Sequence, residues 1–147
     1  MQRFSQYATI GTALAVCLAF TPPAFAETIS FKADLAGTNE VPPNPGVKAT
    51  GKLDASYDTS NKKLSWTLNY SGLTGDPNGA HFHGPATPDK NAGVAVPITA
   101  PLTSPVKGSA TLTDAQATDL MAGRWYVNVH TAAHKDGEIR GQVMKGK

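Results

Sequence analysis

Apolar and polar positions alternate with a period of two along most of the chain, the pattern of strands that bury one face. Residues 28–35 place Ile29, Phe31, Ala33 and Leu35 on one side. Residues 47–57 form a second run and residues 63–70 a third, with Leu64, Trp66 and Leu68 on its apolar face. The turn Asp58-Thr59-Ser60-Asn61 between them predicts a hairpin. Residues 80–83, 94–98 and 106–112 read as short strands. Residues 125–130 give the clearest alternation: Trp125, Val127 and Val129 point one way, Tyr126, Asn128 and His130 the other. Residues 138–143 supply the last strand. Between these runs, 37–46 and 71–79 are loops. The first contains Val41-Pro42-Pro43-Asn44-Pro45, whose prolines cannot donate to a ladder.

One helix interrupts the strands. Thr113-Asp114-Ala115-Gln116 has the form of a capping box, in which the threonine hydroxyl and the glutamine side chain satisfy each other's backbone amides. Leu120 and Met121 would pack inward and Gly123 would end the helix. Seven or so short strands and one short helix predict an all-β fold, a Greek-key β-sandwich or barrel of immunoglobulin-like or superoxide-dismutase-like form. The 14 Gly and 11 Pro agree with strands joined by turns and disfavour a helical bundle. A net charge of +2 gives no basic field suited to nucleic acid.

Residues 1–26 read as a secretory signal peptide: Arg3 gives the positive start, 10–20 an apolar run, and Ala24-Phe25-Ala26 a small-x-small cleavage pattern. The run is too short for a comfortable membrane span. The expected product is a periplasmic or secreted β domain over 27–147. Lipidation at Cys17 is the alternative, from a faint lipobox at Leu14-Ala15-Val16-Cys17, although Val16 is bulky for that motif. Cys17 is the one cysteine, so cleavage after Ala26 would leave a domain without thiols. Any metal in it must be held by nitrogen, oxygen or thioether.

All four histidines fall in two close pairs, His81/His83 and His130/His134. On a strand, His81 and His83 share a face while Phe82 enters the core, their Cβ atoms about 6–7 Å apart. His130 ends its strand on the polar face and His134 follows in the return turn. Scattered placement would not pair every histidine, so the pattern predicts four imidazoles converging on one ion rather than solvated residues. Four neutral nitrogens suit copper, with zinc as the runner-up. Met121 or Met144 is a candidate axial contact, and Asp136 or Glu138 a candidate partner that orients an imidazole. Glu138 and Arg140 alternate on one face of the last strand. Either Arg140 draws a small anion toward the metal, or the two form a surface pair of little energetic weight.

Four stretches resemble the CHRD (chordin) domain family: 35–43 (LAGTNEVPP), 80–86 (AHFHGPA), 121–131 (MAGRWYVNVHT) and 137–143 (GEIRGQV). The resemblance implies a β-rich, immunoglobulin-like or barrel module of secreted proteins, without a settled activity. A weaker analogy joins the chain to copper-dependent superoxide dismutases, which are exported Greek-key barrels with an H-x-H strand pair and a guiding arginine. This chain lacks their disulfide, zinc loop and bridging histidine, so such chemistry here would use copper alone. The expectation is therefore a redox-active copper protein that consumes superoxide, with Arg140 as its catalytic anion guide. Its alternatives are a periplasmic copper carrier or tolerance protein without turnover, and a metal-free protein-binding or adhesion module.

Overall fold

The computed structural model describes residues 27–99 and 101–146. The leader expected over 1–26, with Cys17, lies outside the described residues. Eight strands follow one another: β1 (Thr28–Ala36), β2 (Thr50–Asp58), β3 (Lys63–Ser71), β4 (Pro77–His83), β5 (Val94–Pro97), β6 (Val106–Thr111), β7 (Trp125–Thr131) and β8 (Ile139–Lys145). Helix α1 (Asp114–Met121) links β6 to β7. All ladders are antiparallel, in the order β5-β4-β7-β8-β1-β2-β3-β6. The sheet curls into a nearly closed barrel whose seam runs between the edge strands β5 and β6. β7 returns to lie beside β4 rather than beside β6, which is Greek-key connectivity.

The alternation read from the sequence sets the barrel's interior. Phe31, Leu35, Leu53, Leu64, Leu68, Phe82, Val127, Val129, Ile139 and Val143 are all buried there. Phe82 of β4 meets Trp66 of β3 edge-on, ring centroids 5.1 Å apart, and lies 5.9 Å from Trp125. The cap of α1 forms as expected: Thr113 accepts from the Gln116 amide and the Gln116 side chain accepts from the Thr113 amide. Gly123 takes φ +69°, a left-handed conformation that suits glycine and closes the helix. Leu120 is fully buried.

Two boundaries differ from the expected ones. β4 begins at Pro77, inside the stretch read as loop, because Pro77 and Gly79 pair with Thr131 and His130 across a bulge. β2 begins at Thr50 rather than 47.

A second buried layer lies outside the barrel. β7 is buried on both faces, so Tyr126 and Asn128 are as covered as Val127 and Val129. The cover comes from two loops, 37–47 after β1 and 84–93 after β4. Asn91 donates to the Val41 carbonyl and joins the loops to each other. Asn44 donates to the Gly137 carbonyl, and Gln142 donates to the carbonyls of Ala86 and Gly123. Tyr126, Asn128, His83, Arg140 and Gln142 thus fill a polar layer beneath the loops.

Candidate metal centre

His81, His83 and His130 meet on the outer face of the β4–β7 pair. The ladder places His81 opposite Asn128, His83 opposite Tyr126 and Gly79 opposite His130. His130 therefore reaches His81 diagonally. Gly79 makes the room: a Cβ there would stand 3.2 Å from His81 Cε1 and 3.5 Å from His130 Cδ2. The three residues offer one ring nitrogen each, all within 4.8 Å of one another. An ion held at about 2.0–2.1 Å from imidazole nitrogens separates them by roughly 3–4 Å, so small ring rotations bring the three onto one centre.

Backbone carbonyls orient two of the rings. His83 Nδ1 donates to the Ala92 carbonyl at 2.9 Å and His130 Nδ1 donates to the Lys135 carbonyl at 2.9 Å. A carbonyl only accepts, so each Nδ1 carries a proton, and in the neutral ring His83 Nε2 is left as the free lone pair. His130 Nε2 lies 3.1 Å from His81 Nδ1 and 3.0 Å from Asn128 Oδ1. His83 Nε2 is buried and has no hydrogen-bond partner, an orphaned lone pair directed at the cluster. Burial holds His81 and His83 below the ordinary histidine value, and the neighbouring rings add to the effect. Neutral imidazoles with free lone pairs are the ligating form.

His134 does not join them. The turn after β7 closes with reciprocal backbone bonds between Thr131 and His134, and Gly137 donates to the His134 carbonyl. That tight fold leaves the His134 side chain lining clefts with Asn44, Pro45 and Thr74, and with Ala133, Lys135 and Asp136. The backbone of Lys135 reaches His130 instead. The expected four-imidazole set thus becomes a set of three.

The supporting residues also differ from expectation. Asp136 is exposed, and Glu138 is fully buried, its hydrogen bonds made to Thr74 and Thr131 rather than to any of the three imidazoles. Glu138 accepts from the Thr74 amide and hydroxyl and from the Thr131 hydroxyl. Burial raises its pKa, but these bonds outweigh that and hold the carboxyl below its ordinary value. Met144 is 53% exposed beside Gly123, and Met121 packs on the apolar core.

Arg140 is neither a surface pair with Glu138 nor an exposed anion guide. It is 1% exposed. Its guanidinium donates to Asn91 Oδ1 and to the carbonyls of Thr87, Pro88 and Lys90, which straps the 84–93 loop down. It also lies 3.5 Å over the Tyr126 ring, and Tyr126 stacks on His83 at 4.8 Å and 3°. Tyr126, Asn128 and Gly79 escaped the sequence reading as site residues. The one available signal was their position two residues from, or opposite, a histidine on paired strands.

The model of the CHRD domain matches residues 31–143. The chain belongs to the CHRD domain family. All four stretches of resemblance lie within or at the edge of that match, and CHRD domains are of an extracellular type. No curated protein and no solved structure matches the chain. Among the described residues no helix is long and apolar enough to cross a membrane.

Proposed function

We propose that this CHRD domain is an exported copper-binding protein in which His81, His83 and His130 hold one ion. The observation that carries the reading is the convergence of one ring nitrogen each from His81, His83 and His130 within 4.8 Å, with His83 Nε2 buried and unpartnered. A buried polar atom without a partner costs about 1–3 kcal/mol, and a ligated ion relieves that cost. Copper is preferred over zinc because nitrogen donors bind it more tightly in the divalent series. Export rests on the leader pattern at 1–26 and on the extracellular type of the family.

Bound copper would supply one-electron chemistry. The residues around it favour carriage over turnover, since Arg140 is engaged by the 84–93 loop and is not free to draw in superoxide. Turnover is the second reading, favoured by the partial exposure of His81 and His130, which leaves the cluster open on one side.

Copper analysis of the purified protein tests the assignment. About one ion per chain is expected, with loss in His81→Ala, His83→Ala and His130→Ala and retention in His134→Ala. Full copper in the first three variants would overturn it. Superoxide consumption no faster than that of free copper supports the carrier, and faster consumption supports turnover. A protein partner bound equally by a variant lacking all three histidines would support the adhesion module.

A further inference from the structure

We infer that the three-histidine site favours the cuprous ion over the cupric ion. The inference rests on the copper reading above and deepens it. Its first ground is the donor set. The convergent group consists of three neutral imidazoles, with neither carboxylate nor thiolate among them. Such a set does nothing to offset the second positive charge of the cupric form. Three nitrogens also fall short of the tetragonal arrangement that cupric copper prefers. The fourth imidazole that would have completed it, His134, belongs to the turn on the Thr74 side.

The second ground is what lies behind the ligands. Hydrogen bonds from an imidazole to a carboxylate raise its basicity and favour the more highly charged ion. Here the Nδ1 protons of His83 and His130 go to neutral backbone carbonyls.

The third ground is a fixed positive charge. β7 lies between β4 and β8, so His83 and the Arg140 guanidinium occupy opposite faces of the Tyr126 ring. Only that ring separates the cation from the ligand. The hydrogen-bond partners of Arg140 are an amide and three carbonyls, all neutral. No carboxylate forms an ion pair with Arg140 among the described residues. Asp89 is exposed, so water screens it. Glu40 feels Arg140, but burial pushes its carboxyl up to about 7, so near neutral pH it offsets only part of that charge. A buried cation that is only partly compensated, within a Debye length of the ion, penalises each additional positive charge there.

The test is a pair of competition titrations on the purified protein with copper alone as the probe, one against a cuprous-selective chelator without oxygen, one against a cupric-selective chelator. The expected result is cuprous affinity at least about tenfold above cupric. That places the bound couple at least about 59 mV above the aqueous one. Arg140→Met is expected to lower the ratio about tenfold and Arg140→Lys to lower it less, although both lose the guanidinium's hold on the loop. Cupric affinity equal to or above cuprous affinity in the unsubstituted protein overturns the inference while leaving copper binding intact. Equal ratios in folded Arg140→Met and Arg140→Lys overturn the part assigned to the charge. If Arg140→Met does not fold, the unsubstituted protein still decides the preference. Failure of both copper forms to bind would instead bring down the copper reading itself.

Discussion

The two sides of strand β7 are both buried along residues 125–129 and are chemically opposite. Its inner face contributes Trp125, Val127 and Val129 to an apolar core, where shape and area are the currency of stability. Its outer face contributes Tyr126, Asn128 and His130 to a layer roofed by loops, where hydrogen bonds and charge decide what is stable. The inner layer is almost wholly apolar, with Trp66 Nε1 a buried polar atom that lacks a partner. The outer one is built from polar groups and leaves His83 Nε2 and Glu40 Oε1 without partners. The fold thus packs one layer for cohesion and holds a polar one against it through β4, β7 and β8.

The largest expected effect that separates the layers is Phe82→Ala. Phe82 is completely buried between Trp66 and Trp125, and its truncation should cost about 3–5 kcal/mol in urea denaturation. A loss under about 1 kcal/mol would mean that the interior is not the cohesive layer.

Glu40 tests the outer layer through pH. Burial pushes its carboxyl up to about 7, against the pull of Arg140 and a hydrogen bond from the Val41 amide. The folded state then holds this proton more tightly than the unfolded state. The Glu40 contribution is most favourable below about pH 4.5, falls as pH rises, and levels off above about 7. The difference amounts to about 3 kcal/mol at most. The buried histidines act in the opposite direction, so the useful quantity is the difference between the protein and Glu40→Gln. Denaturation midpoints at pH 5 and pH 8 should converge on those of the variant at the lower pH and fall below them at the higher. Parallel profiles would show that Glu40 is not desolvated.

The ion should distinguish the layers next. Copper at about 100 times its dissociation constant should stabilise the protein by about 2.7 kcal/mol, read as a thermal shift. Phe82→Ala should keep that increment if it still folds, and His83→Ala should lose it. An equal increment in His83→Ala would place the ion elsewhere.

The smallest effect is expected where the outer face is bare. Lys52 pairs with Asp34 at 3.0 Å, but both side chains are largely exposed. Lys52→Ala should change stability by less than about 1 kcal/mol. A larger loss would mean that the uncovered face carries electrostatic weight of its own.

The apolar layer was legible in the sequence because it is periodic. Leu64, Trp66 and Leu68, or Trp125, Val127 and Val129, announce a buried face by spacing alone. The helix was legible because its cap is local, within Thr113 to Gln116. The H-x-H pair was legible for the same reason. What escaped was long-range. Nothing near Arg140 says that residues 87–91 will supply its acceptors, and nothing near His130 says that its proton goes to Lys135 rather than to Asp136. The pairing of His130 with His134 was read from proximity in the chain. A turn closed by Thr131 separates them in space. Pro77 and Gly79 read as loop because turn residues and bulged strand ends share a vocabulary.

The ladder between β4 and β7 joins segments separated by the whole of β5, β6 and α1. Two of the three imidazoles arrive with one strand and the third with the other, so a chain threaded through a membrane without its fold has no centre to fill. It would emerge without cargo and acquire it only once the crossover closes, from whatever the receiving compartment offers. The choice of ion would then be made at the destination rather than where the chain is synthesised.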